Sequence, residues 1–230
     1  MEAIILAGGL GTRLRSVVSD VPKCMAPVAG RPFLFYILNY LEKYNFNHVI
    51  LSLGFRHEIV EEWIINKQWS FKISFSVEGE PLGTGGAIKQ ALKHAQENQV
   101  FVMNGDTFFD VNLDDFYHFH VDKNAQISIA LKPLEYFERY GNVLTDINDK
   151  ITAFKEKEPC KIGQINGGIY IVNKESGLMK IGKEKFSFET DVLQKMANKE
   201  NIFAFVSSGY FIDIGIPEDY SRANIDFKDK

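Results

Sequence analysis

Residues 3–14 read AIILAGGLGTRL: a short apolar run passes straight into a loop with three glycines, a threonine and an arginine, and Pro22-Lys23 follows soon after. Residues 3–7 are apolar or small without polar alternation, the pattern of a strand buried on both faces in a parallel sheet. Glycines at the end of that strand leave backbone N–H groups bare, so several can converge on an anion. A helical turn after the loop adds a partial positive charge, and Arg13 and Lys23 add full ones. A polyphosphate suits this arrangement. A glycine-rich strand-to-helix turn can also exist only to make the turn, and the loop alone leaves both readings open. It is not a P-loop, since no Gly-Lys-Ser/Thr closes it, and not G-x-G-x-x-G, since Leu14 takes the last position.

Working outward, strand and helix signals alternate. Residues 33–44 place Leu34, Ile37, Leu38 and Leu41 on one helical stripe, and residues 48–53 read as a strand. A helix over 58–66, a strand over 72–77, a helix over 84–95, a strand over 99–103 and a helix over 113–121 continue the rhythm. That succession predicts an α/β fold: a Rossmann-like, mostly parallel sheet flanked by helices. The rhythm then changes. Strands over 126–131, 142–146, 151–155 and 165–172 have few helices between them, which predicts antiparallel additions in the second half. A helix over 188–199, a strand over 202–206 and a helix over 217–227 follow. Without linker, repeat or low-complexity stretch, the 230 residues read as a single domain.

Composition bounds the function. A net charge of −4 provides no electrostatic footprint for nucleic acid or an anionic membrane. Two cysteines, Cys24 and Cys160, are too few for a disulfide framework and favour a reducing compartment. The N-terminal MEAIILAGG has an acidic second residue and an apolar run too short for a signal peptide, and no 18-residue apolar stretch occurs. These features predict a cytoplasmic protein. An aromatic content of 13% would serve either the core or the face of a homodimer.

LAGGLGTRL followed by PKCMAPVAGRP resembles the signature of the sugar-1-phosphate nucleotidyltransferases, in which LAxGxGTRL precedes a PK pair and a P-V segment. The likeness continues through EGEPLGTGGA, NGDTFFD, YGNV, FKEKEP, NGGIY, FSFETDVL and FIDIGIPED, in the family's order across nearly the whole chain. Arg15-Ser16 and Cys24 stand where the family often has proline, which bears on local loop shape. The resemblance implies the nucleotide-diphospho-sugar transferase fold and a defined reaction. A sugar 1-phosphate oxygen attacks the α-phosphorus of a nucleoside triphosphate and expels pyrophosphate. The nucleophile is already an anion, so the protein must supply positioning and charge neutralisation rather than a general base.

The resemblance assigns Leu6, Ala7, Gly8, Gly9, Gly11, Thr12 and Arg13 to the triphosphate, with Arg13, Lys23 and Asp106 as catalytic residues. Asp106 and Asp213, each near a strand end, match the two family aspartates that hold Mg²⁺, an ion suited to one or two carboxylates plus substrate phosphates. Asn104 and Gly105 precede Asp106 in the nucleotide site. The base would be read from Glu78, Glu80, Pro81, Gly83 and Thr84. A carboxylate only accepts, which suits the adjacent N1–H and amino donors of guanine and predicts GTP; Glu78 stands where thymidylyltransferases of the family resemble one another in having a Gln that reads the pyrimidine, and Glu80 could play the same part. Gly141, Glu156, Lys157, Asn166 and Gly167 match the segments that contact the sugar. Residues 1–122 would then serve mainly the nucleotide, and 123–230 the sugar and the second metal carboxylate. Within the family the likeness is fullest to guanylyltransferases acting on a manno-configured heptose 1-phosphate. A mannose 1-phosphate guanylyltransferase, a uridylyl- or thymidylyltransferase, and a non-catalytic nucleotide-sugar-binding regulator are the alternatives.

Overall fold

The computed structural model describes residues 1–9, 14, 18, 20–197 and 199–228. The opening apolar run is strand β1 (Glu2–Leu6), buried from Glu2 to Ile5. A 3₁₀ turn at Lys23–Met25 and a hairpin of β2 (Pro27–Val28) and β3 (Arg31–Pro32) lead into α1 (Phe33–Leu41). There follow β4 (His48–Leu53), α2 (His57–Ile65), β5 (Lys72–Val77), α3 (Gly83–Ala91), β6 (Gln99–Asn104), β7 (Thr107–Phe109) and α4 (Leu113–Asp122). The second half contributes β8 (Ile127–Phe137), β9 (Gly141–Thr145), β10 (Ile151–Lys157), β11 (Cys160–Asn173), a π-helical segment Phe188–Gln194, β12 (Ile202–Val206), β13 (Phe211–Asp213) and α5 (Pro217–Asp226).

β1 lies inside a mixed sheet of order β10-β9-β11-β6-β1-β4-β5, with β8 on β11 and β12 on β8. β6, β1, β4 and β5 are mutually parallel, whereas β11 runs antiparallel to β6 and β8 antiparallel to β11. The change of rhythm along the chain is therefore a change of strand direction. Successive side chains of β1 enter different cores, which is why it shows no polar alternation. Ala3 and Ile5 join α1, Val60 and Ile64 of α2 and Phe116 of α4. Ile4 joins Ile88 and Ala91 of α3 with Val192 and Leu193 of the π-helical segment. Fully burying an Ile is worth about 1.5–3 kcal/mol, so each face is anchored through this strand.

The structure differs from the sequence reading chiefly at element ends. α1 stops at Leu41 rather than 44, and α3 at Ala91 rather than 95. β8 and β11 run past the predicted 126–131 and 165–172 because their polar ends, 132–137 and 160–164, pair with each other outside the core. The helix expected over 188–199 is a π-helical segment at Phe188–Gln194, capped by Ser187, whose hydroxyl accepts from Thr190 N–H. β13 ends at Asp213, the strand end expected there, whereas β7 precedes α4 without a sequence signal; at three residues each, both are too short to carry a period.

Candidate active site

Because four adjacent strands are parallel, their carboxyl ends lie side by side, the place where open α/β sheets bind ligands. Gly8 and Gly9 leave β1 there, Gly54 follows β4, Glu78–Gly83 follow β5, and Gly105-Asp106 follow β6. Together they enclose a cleft of about 780 Å³. Its floor follows the register: Asn104 is opposite Leu6, Leu6 opposite Ser52, and Ser52 opposite Ser76. Ile4, Ile50 and Val102, two residues back along these strands, lie in the α3-side core, so this row faces α3. Leu6, Gly8, Gly9, Glu78, Glu80 and Asn104 line the cleft, as do Pro81, Gly83, Thr84 and Asp106. Ala7 is buried beneath, its N–H donating to Ser52 O at 2.8 Å, and Gly105 N–H donates to Leu6 O at 2.9 Å. Gly11, Thr12 and Arg13 lie outside the described residues.

The short strands β7 and β13 pair antiparallel, with Asp213 opposite Thr107. That pairing brings Asp213 to Asp106 across more than a hundred residues of chain. The backbone ties them further, since Ile214 N–H donates to Asp106 O at 3.0 Å. Lys23, on the 3₁₀ turn, donates its ammonium to Asp106 Oδ2 and stands 3.6 Å from Asp213 Oδ1. Its side chain is 11% exposed, so the charge is partly desolvated and bound to the acidic pair. Thr107 Oγ1 donates to Asp106 Oδ1 at 3.2 Å and Gly215 N–H to Asp213 Oδ1 at 2.8 Å, which fixes both carboxylates. Among the described residues no group of three or more His, Cys, Asp or Glu side chains is placed to hold a metal. Beside Lys23, Cys24 is buried and its thiol is pushed up to about 12 by burial and the Asp106 charge.

At the other end of the cleft Glu78 is half-buried. Its Oε2 accepts Leu82 N–H at 2.8 Å, closing the turn before α3. Its Oε1 lies against Gly8, where a methyl group would come within 2.9 Å of it. Burial raises the Glu78 pKa and the Leu82 N–H opposes the rise. Glu80 is exposed at the tip of the turn. Gly83 has φ +71°, and a side chain there would strike Phe186 O at 2.6 Å, so its glycine is required by packing on the 184–188 segment. The Thr84 hydroxyl accepts Phe188 N–H at 2.9 Å and donates to Glu189 Oε2 at 2.6 Å. Glu189 thereby reaches the cleft wall; it lies in FSFETDVL, one of the stretches that carry the resemblance, but was given no role from the sequence. Arg56 also reaches the wall, from the loop that begins at Gly54; a glycine closing a buried strand, the same sign as Gly8, marked that loop.

Of the sugar-side residues, Asn166 and Gly167 sit in the bulge where β11 shifts register against β8. Asn166 Nδ2 donates to Tyr170 OH at 2.8 Å. A side chain at Gly167 would lie 2.4 Å from the Phe109 ring, and one at Gly168 2.8 Å from Asn104 Nδ2, so this bulge packs directly onto the β6–β7 corner that carries Asp106. Gly141 adjoins Tyr140, whose ring meets Phe211 edge-on at 6.1 Å. Burial and the nearby Asp213 charge push the Tyr140 hydroxyl up to about 12. Lys157 pairs with Gly141 in register, but Glu156 and Lys157 themselves are exposed on edge strand β10 and line no part of the cleft.

The chain is 50% identical over 223 residues to D-glycero-alpha-D-manno-heptose 1-phosphate guanylyltransferase of Aneurinibacillus thermoaerophilus, covering 97% of this chain and 96% of the relative. It is 46% identical over 220 residues to the enzyme of the same name from Campylobacter jejuni, covering 96% and 97%. The crystal structure of HddC from Yersinia pseudotuberculosis complexed with GMP-PN matches with a TM-score of 0.88 at 39% identity and covers 99% of each chain. The nucleotidyl transferase family model matches residues 2–230, strand β1 through the residues after α5, and the chain belongs to that family.

Proposed function

We propose that this chain transfers a guanylyl group from GTP to D-glycero-α-D-manno-heptose 1-phosphate, forming GDP-heptose and pyrophosphate. The observation that carries the reading is the arrangement along one row of strand ends: an acceptor carboxylate, Glu78, at one end of the cleft, and the Lys23–Asp106–Asp213 cluster at the other. Half-buried Glu78 is the base reader, accepting from guanine N1–H and its amino group, while exposed Glu80 contributes at the rim. The glycine loop, with Gly11, Thr12 and Arg13, holds the triphosphate, and Leu6, Asn104, Pro81, Gly83 and Thr84 complete the nucleotide side. Residues 1–122 serve mainly the nucleotide, and 123–230 mainly the sugar and the second metal carboxylate. Gly141, Asn166 and Gly167 border the sugar phosphate's approach to Asp106 and Asp213, and Glu156 and Lys157 approach from the β9–β10 edge.

In the reaction a phosphate oxygen of the heptose 1-phosphate forms a bond to the α-phosphorus and the bond to the β-phosphate oxygen breaks. The electron pair leaves with pyrophosphate. No side chain need remove a proton, because the attacking oxygen is ionised. Lys23 brings a partly desolvated ammonium to the point where charge on the two phosphates accumulates, and charge held there before reaction costs no reorganisation in the transition state. Arg13 neutralises the departing β- and γ-phosphates. Two carboxylates held in place, Asp106 by Thr107 and Lys23 and Asp213 by Gly215 N–H, would suit Mg²⁺ together with substrate phosphates. Asp106 and Asp213 would hold the ion, which when bound reduces repulsion between the two phosphates. Such chemistry draws on nucleoside triphosphates, which supports a cytoplasmic location. The test is pyrophosphate release from GTP, UTP, dTTP, CTP and ATP, each against heptose, mannose and glucose 1-phosphates. The highest kcat/KM is expected for GTP with the heptose. Preference for UTP or dTTP would overturn the base assignment, preference for mannose 1-phosphate the sugar assignment, and no turnover with any pair the enzymatic reading itself.

A further inference from the structure

We propose that Ser52 is a nucleobase-binding residue, its hydroxyl donating a hydrogen bond to an acceptor atom of the base; the proposal rests on the nucleotide reading above and names a contact within it. Ser52 is 1% exposed and lines the cleft. Its Oγ has no hydrogen-bond partner among the described residues. A buried hydroxyl left unpaired costs free energy, so an orphan of this kind needs an explanation. Its neighbour in the row, Ser76, differs. Ser76 Oγ accepts from Gln90 Nε2 at 3.3 Å, whereas nothing on α3 reaches Ser52.

Its place in the row says which part of a nucleotide it meets. Ser52 lies between Leu6 and Ser76 in register, on the sheet face turned toward α3, at the Glu78 end of the cleft and away from Asp106. The backbone there is tied off: Ser52 O accepts from Ala7 N–H, and Glu78 N–H donates to Leu53 O at 2.8 Å. Ser52 is thus the polar residue that β4 places at the cleft floor, its hydroxyl buried there without a partner among the described residues. Glu78 beside it can only accept. A base edge that presents both donors and an acceptor, as guanine does with N1–H, its amino group and O6, N3 or N7, is satisfied by a carboxylate and a hydroxyl together. An acceptor-only site would leave that base acceptor unpaired. Discrimination of this kind is strongest where the site's polar group would itself be stranded by the wrong ligand.

The test is calorimetric titration of GTP, without sugar phosphate, into wild type, Ser52→Ala and Ser52→Cys. The alanine variant is expected to weaken GTP by about 3- to 10-fold, the worth of one neutral hydrogen bond. The cysteine variant, which keeps a heavy atom at the γ position but donates only weakly, should follow it. The melting temperature of the unliganded protein should not fall, because the hydroxyl has no partner to lose. Repeating the titration with triphosphates of guanine analogues lacking O6, N3 or N7 identifies the acceptor: for one analogue, wild type and Ser52→Ala bind alike. Unchanged GTP affinity in both variants would overturn the proposal, as would an equal loss for GTP and every analogue. Should the wild type instead bind a pyrimidine triphosphate best, the guanine reading falls on its own. The Ser52 contact is then judged by the same variants with that nucleotide, and unchanged affinity overturns it.

Discussion

Replacing Glu78 by Gln should convert base reading from acceptor to donor, and the geometry says why. Oε2 already accepts Leu82 N–H at 2.8 Å. A glutamine amide in the same place must keep its carbonyl on that N–H, because its NH₂ cannot accept. The NH₂ is then forced into the Oε1 position beside Gly8, facing the cleft. Guanine N1–H and its amino group would meet a donor. The lost charge-assisted contact is worth about 1.5–3 kcal/mol, roughly a tenfold to hundredfold fall in kcat/KM for GTP. Uracil carbonyls accept from the new amide, so UTP should improve. The assay is kcat/KM for GTP and UTP at fixed sugar 1-phosphate, with a thermal melt to show the turn before α3 intact. Acid pH should act in the same direction on wild type. Burial raises the Glu78 pKa, so its carboxylate neutralises at higher pH than an ordinary glutamate, and the GTP preference should shrink as pH falls while the Gln variant stays flat. An unchanged GTP/UTP ratio in Glu78→Gln, or a collapse in Glu80→Gln alone, refutes the reasoning.

Lys23→Ala should lower kcat by about 10²–10³ while the protein stays folded, as expected when a pre-placed donor to transition-state charge is removed; loss of activity only in proportion to loss of folded protein, read by circular dichroism, would make Lys23 structural. Asp106→Ala and Asp213→Ala should each abolish most Mg²⁺-dependent turnover, and full activity of both in excess chelator would remove the metal from the site. Because its thiol is pushed up to about 12, Cys24 should resist a disulfide reagent at pH 8 until the protein is denatured, while half-buried Cys160 reacts in the native state, and Cys24→Ser should keep its activity. Burial would raise the pKa of Glu2, but bonds from Glu97 N–H, His48 and Gln96 N–H outweigh it and hold it below 4.5. A lowered folded pKa contributes stability that is present above the unfolded value and lost as pH falls through the folded one. Urea midpoints between pH 7 and pH 3 should therefore drop more steeply for wild type than for Glu2→Gln, and parallel curves would count against it.

The elements carried by side-chain period were legible in the chain. A strand that enters two cores is apolar on both faces where it crosses them, so the run from Ala3 to Leu6 in β1 announced both its burial and a parallel sheet, and a parallel sheet places its loops at one edge. The glycine loop, the Glu78 turn and Asp106 could each be assigned to that edge from local pattern alone. What no local pattern contained was contact between distant residues. Asp213 reaches Asp106 only because two three-residue strands pair, and three residues are too few to show a period of two. Gly167 reads as an opening for a ligand, yet the ring it admits is Phe109's, a neighbour supplied by the fold. Ser52 looks like any small polar residue in a strand. Only when β1, β4 and β5 lie in register beneath α3 does its hydroxyl become a buried donor without a partner, because hydrogen-bond satisfaction depends on what packs around an atom and not on the residues beside it in the chain.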